Sequence, residues 1–62
     1  MGPFKSKEHI RADLELDIKE NKCRTDAIRD ACAALRGSYG YTIVEALCIV
    51  ILWQMDIEDA KQ

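Results

Sequence analysis

The stretch Thr42–Ile57 reads Thr-Ile-Val-Glu-Ala-Leu-Cys-Ile-Val-Ile-Leu-Trp-Gln-Met-Asp-Ile. Thr42 suits a helix N-cap, because its hydroxyl can accept from the unsatisfied amides of the first turn. From Ile43 to Trp53 the one polar residue is Glu45, and Ala46–Trp53 is an unbroken apolar run. At helical spacing Ile43, Leu47, Val50 and Gln54 share one side, with Val44, Ile51 and Met55 next to it. Ala46, Trp53 and Ile57 flank the opposite edge. The remaining stripe, Glu45–Ile49–Leu52–Asp56, is half aliphatic. A surface helix shows an apolar stripe roughly 100° wide, and this one is apolar far beyond that.

Such a helix is buried inside a large protein, in a membrane or against a partner. A chain of about 60 residues buries only about 60% of the surface its unfolded form exposes, so the first is excluded. A membrane span needs about 20 consecutive apolar residues. Here the block is interrupted by Glu45 at its start and by Gln54 and Asp56 at its end, and it lacks flanking Lys or Arg. Burial against a second copy remains. The expected self-association residues are Ile43, Val44, Leu47, Val50, Ile51 and Trp53, in a homodimer or higher oligomer.

Upstream, Gly37–Tyr41 is Gly-Ser-Tyr-Gly-Tyr, a connector whose two glycines permit positive φ. Before it, Thr25–Arg36 reads as a helix. Thr25 is its N-cap, Asp26 favours the first turn, and Gly37 sits where a left-handed residue ends a helix at little cost. Ile28, Cys32 and Leu35 line one face, with Ala27, Ala31 and Ala34 beside them.

Residues 6–22 admit two readings. As a helix, Ser6 caps it and Ile10, Leu14 and Ile18 recur every four residues. As a strand, Asp13–Lys19 alternates, with Leu14, Leu16 and Ile18 on one side. Leu16 fits only the strand. The wider composition of Ala, Glu, Lys, Arg and Leu favours the helix.

The strand alternative, taken with Thr25–Arg36, Gly37 and Ile43–Trp53, resembles the element order of ribbon–helix–helix DNA-binding dimers. That resemblance implies paired strands near residues 13–19 whose outward side chains enter the major groove. Those would be Asp13, Glu15, Asp17 and Lys19, and three carboxylates would repel DNA phosphates. The segment Glu20–Arg24 is also longer than the family's usual strand-to-helix gap. A helix-turn-helix reading fails because Ile43–Trp53 offers the bases almost no polar side chains.

Cysteines and charge narrow the function classes. Three cysteines, Cys23, Cys32 and Cys48, leave one unpaired, and Met1–Ile10 has no apolar core of a signal peptide. The expectation is a cytosolic protein whose cysteines fill space as small hydrophobes. Their gaps lack the close-spaced pairs of a zinc site, and the one histidine, His9, is remote in sequence, so no metal or other cofactor is expected. The net charge of −2 gives no general attraction to nucleic acid or anionic membranes. Residues 1–37 carry eight basic and seven acidic side chains; residues 38–62 carry Lys61 against Glu45, Asp56, Glu58 and Asp59.

No catalytic arrangement stands out, and the chain reads as non-enzymatic. His9 has no oriented partner, Glu45 is the one acid in an apolar setting, and Gly37–Tyr41 lacks a Walker pattern. Arg36, Tyr39 and Tyr41, with Arg29, form an aromatic and cationic group of the type enriched at binding hot spots. The alternative for Tyr39 and Tyr41 is to cap the open end of the core.

Together these readings give an all-α single domain over residues 1–62, with residues 1–5 a loose lead-in. Its helices span about 6–22, 25–36 and 42–57. The expected function is self-association and binding to another macromolecule as a regulator or inhibitor, with an unidentified protein the expected partner and nucleic acid not favoured. Small acidic helical proteins of this size are often carried by phages and other mobile elements. Two other classes remain: a DNA-binding regulator with a basic patch assembled in the oligomer, and a binder of a small ligand or nucleotide at the subunit junction.

Overall fold

The computed structural model describes residues 4–60 as three helices: α1 (Lys7–Lys19), α2 (Arg24–Tyr39) and α3 (Ile43–Ala60). Among the described residues there is no strand, so the fold is all-α. Residues 13–19 lie within α1, which removes the ribbon–helix–helix alternative. Leu16, the residue that fitted only the strand period, is 52% exposed on the surface of α1.

Helix α1 begins where Ser6 accepts a hydrogen bond from the His9 amide at 3.2 Å. It closes at Glu20, followed by Asn21 at φ 61°, a left-handed position that asparagine tolerates better than most residues. The helix therefore ends a turn before the expected Lys22. Lys22 instead reaches Asp30 of α2 at 2.7 Å and Asp17 of α1 at 3.6 Å, bracing the α1–α2 corner. The Lys22 ammonium, hydrogen-bonded to the exposed Asp30 carboxyl, holds it below the usual carboxylate range.

Both ends of α2 differ from expectation. Cys23, without a side-chain cap bond, precedes the helix, and Thr25 lies inside its first turn. At the other end Gly37 is helical, and the left-handed residue is Gly40 at φ 73°, whose amide donates to the Arg36 carbonyl at 2.9 Å. Glycine inside a helix costs roughly 0.5–1 kcal/mol relative to alanine. The added turn carries Ser38 and Tyr39 to the start of the chain. There the Lys5 amide donates to Ser38 Oγ at 3.1 Å and the Lys7 amide to the Tyr39 hydroxyl at 2.8 Å. The second of these bonds satisfies the first free amide of α1, which a helix otherwise leaves to water. Of the lead-in expected at residues 1–5, residues 1–3 lie outside the described residues, whereas Phe4 and Lys5 are held against α2.

Thr42 and Glu45 form a reciprocal capping box at the start of α3. The Thr42 amide donates to Glu45 Oε1 at 2.9 Å, and the Glu45 amide donates to Thr42 Oγ1 at 3.2 Å. The lone acid in the apolar segment thus has a local structural role. Helix α3 runs three residues past the expected Ile57, and Glu58 in that extra turn pairs with Arg24 of α2.

The core is assembled from one stripe of each helix: Ile10, Leu14 and Ile18; Ala27, Ala31, Cys32 and Leu35; and Ala46, Val50 and Ile57. Among the described residues no polar or charged one is buried. The alanines of α2 let its neighbours approach closely, and α2 packs on both, while α1 and α3 meet more sparingly. Arg11 of α1 ties to Asp56 of α3 at 2.8 Å across that thinner seam.

Candidate self-association face

The core takes only one side of α3. Ala46, Val50 and Ile57 point inward, with Ile49 and Trp53 packed beside them. On the far side, successive turns of the helix present Ile43, Val44, Leu47, Ile51, Leu52 and Met55, each between 40% and 66% exposed. Cys48 is exposed among them. The rows Ile43–Leu47–Ile51–Met55 and Val44–Cys48–Leu52 each repeat every fourth residue, so they run side by side along the helix. Single exposed hydrophobes are ordinary on a protein surface; a contiguous strip marks an interaction site.

Four of the six residues expected to mediate self-association lie on this strip: Ile43, Val44, Leu47 and Ile51. The other two do not. Val50 is fully buried in the subunit's own core, and Trp53 is half-buried against it. Val50 shared a side with Ile43 and Leu47 on the sequence reading, but it lies at the edge of that side nearest α1 and α2, which claim it. Leu52 and Met55 join the strip instead. Leu52 was assigned to the polar stripe, and Met55 was recognised only as a neighbour of the apolar side.

Along the N-terminal half of the strip, α2 and α3 enclose an apolar groove of about 300 Å³. Ile28, Cys32, Ile43 and Leu47 line it, and Arg29 and Arg36 stand at its lip. Among the described residues, neither arginine has a carboxylate within ion-pair distance. Burial in this wall raises the pKa of the Cys32 thiol, with Arg36 opposing the shift more weakly. Of the three cysteines, Cys32 alone is the small buried hydrophobe expected; Cys23 and Cys48 are exposed.

The tyrosines belong to a cluster that contains neither arginine. Tyr39 and Tyr41 stack on each other at 5.6 Å, and Phe4 meets the Tyr39 ring edge-on at 5.2 Å. The cation over both rings is Lys7, at 5.2 Å from each centroid. Hydrogen bonding toward Tyr41 is the main cause of its raised pKa. Tyr41 also packs on the core, so this cluster closes the end of the bundle and anchors the residues before α1. The expected grouping of Arg29, Arg36, Tyr39 and Tyr41 is thus divided between two places.

A second groove, about 390 Å³, lies between α1 and α2 and was not anticipated. Leu14, Leu16 and alanines floor it, and Asp13, Asp17 and Asp30 rim it. Those three carboxylates are already met by two ammonium groups, Lys5 on Asp13 and Lys22 on Asp17 and Asp30, which leaves the rim weakly acidic. The one available signal was Leu16, an apolar residue out of step with the helical period.

His9 is exposed, with Nε2 at 3.6 Å from Asp13. Among the described residues no group of three metal-ligating side chains occurs, and no helix is long and apolar enough to cross a membrane. In comparisons with known protein families, curated proteins and solved structures, none matches this chain.

Proposed function

We propose that the protein is a non-enzymatic binding module that self-associates through the outer face of α3 and, once assembled, engages another protein as a regulator or inhibitor. One observation carries this reading: a continuous apolar strip on the side of α3 that the core leaves uncovered. Fully burying a residue of this type is worth about 1.5–3 kcal/mol, and these six retain roughly half of their surface. Hiding six on each of two copies therefore yields roughly 9–18 kcal/mol, comparable with an association cost of about 4–15 kcal/mol.

The charged surface supports protein over nucleic acid as the other partner. Lys5, Arg11, Lys22 and Arg24 are each engaged by a carboxylate, and Lys7 lies over two tyrosines. Among the described residues this leaves Lys19, Arg29 and Arg36, too few free cations for a strong phosphate-binding surface. Sedimentation equilibrium from about 1 µM to 1 mM tests the assembly. The expected mass rises from 7.1 kDa toward twice that value. A folded monomer at every concentration would refute the proposal.

A further inference from the structure

We infer that the occupant of the α3 strip is a second copy lying antiparallel, with Arg36 of each copy facing Asp59 of the other. The inference rests on the self-association proposed above and adds to it an orientation and the residues that set it.

Charge is divided along the strip. Arg29 and Arg36 border its N-terminal half, beside Ile43 and Leu47. At the other end Asp59 continues the outer row, four residues after Met55, and is exposed. Most other charges near α3 are engaged within the subunit: Asp56 by Arg11, Glu58 by Arg24, and Glu45 by the amide of Thr42. Among the described residues Arg29, Arg36 and Asp59 have no ion-pair partner. The three charges left over thus lie at opposite ends of the same apolar face.

A parallel dimer would set Arg36 against Arg36 and Asp59 against Asp59. Like charges brought together disfavour that arrangement. An antiparallel dimer pairs the opposite charges twice by symmetry, since a two-fold contact repeats each residue pair. The helix dipoles favour the same choice, because each N-terminus then lies near a C-terminus. The apolar rows match as well. With the axis midway along the strip, Ile43 opposes Met55 of the second copy and Leu47 opposes its Ile51. Asp59 is one turn beyond Met55, within reach of the long Arg36 side chain beside Ile43.

Cross-linking between introduced cysteines tests the orientation, with the buried, slowly reacting Cys32 left in place. In a background with Cys23→Ser and Cys48→Ser, Val44→Cys and Met55→Cys place thiols at two positions more than 60% exposed, where neither substitution disturbs the core. A short bis-maleimide is applied above the dimerisation concentration. Antiparallel pairing puts position 44 of one copy near position 55 of the other, so the mixture of the two variants cross-links. Either variant alone does not, because like positions stand about 15 Å apart along the axis. Cross-linking of each variant with itself would mean a parallel or different contact and would overturn the orientation while leaving self-association intact. A dimer by sedimentation with no cross-link would overturn it too. A monomer by sedimentation would fail both proposals.

Charge exchange supplies an independent readout. Arg36→Glu and Asp59→Arg should each weaken the dimer about fivefold to tenfold, and the double variant should recover most of that loss. Absence of recovery would overturn the Arg36–Asp59 pairing.

Discussion

Val44→Glu separates the two sides of α3, because it should abolish the dimer while leaving the monomer as stable as before. Val44 is 66% exposed in the subunit, so its replacement opens no cavity. It lies in the first turn of α3, where a carboxylate is favoured by the helix dipole and where glutamate forms helix slightly better than valine. The monomer should therefore change by no more than about 0.5 kcal/mol. In the dimer the same position is covered. Losing two thirds of a valine's burial on each copy removes about 2 kcal/mol in total. Two carboxylates forced into an apolar contact add about 1–3 kcal/mol each. The sum, roughly 4–8 kcal/mol, weakens association by at least about a thousandfold and puts it beyond the reach of sedimentation. Urea denaturation followed by circular dichroism, at a concentration where sedimentation shows the parent to be monomeric, reads the fold separately. Val50→Asp is the contrasting variant: its carboxylate enters a fully buried site, costs several kcal/mol and should leave the chain unfolded. A Val44→Glu protein that dimerises like the parent, or that loses monomer stability, would refute the assignment of this face.

The two glycines of the α2–α3 connection should respond in opposite directions. Gly37→Ala should stabilise by about 0.5–1 kcal/mol, since Gly37 is helical and has nothing within 4 Å of the added methyl. Gly40→Ala should destabilise by about 1 kcal/mol, because it forces φ 73° on an L-side chain; paired urea curves measure both. Under native conditions Cys23 and Cys48 should react promptly with a thiol reagent and Cys32 slowly, its pKa being raised by burial. Cys48 should slow further as protein concentration rises, a protection that Val44→Glu removes. Acid should weaken the α1–α2 corner in a defined window. Lys22 lowers the pKa of Asp30 in the folded state, so this contribution is complete above the unfolded value near 3.8 and vanishes as pH falls through the lower folded value. Asp30→Asn should be less acid-sensitive than the parent over that range, with the small amplitude typical of an exposed pair.

Helix type and number were legible because they depend on local chemistry. Ile10, Leu14 and Ile18 at four-residue intervals, Ser6 before α1 and Thr42 with Glu45 before α3 act through neighbours within one turn. Glu45 shows the limit of reading types without geometry, since an acid in an apolar run has several uses and its bond to the Thr42 amide selected one. The ends of α2 were misplaced for a different reason. Gly37 would stop an isolated helix, but Tyr39 is held by contacts from Phe4 and Lys7, more than thirty residues away in the chain. Long-range contacts of that kind outweigh a glycine's cost of under about 1 kcal/mol.

What the sequence determined by itself is that Thr42–Ile57 carries more apolar surface than a chain of this length can enclose. That follows from composition and period alone, since every side of the helix bears aliphatic residues. Which of them are left outside was settled only by tertiary packing. Helices α1 and α2 can cover one flank of a cylinder, and the flank they cover holds Ala46, Val50 and Ile57, where small and branched side chains allow close approach. Val50 was thereby drawn inward and Leu52 and Met55 turned out. Packing likewise left Arg29 and Arg36 at one end of the strip and Asp59 at the other, although these residues are up to thirty positions apart in the chain.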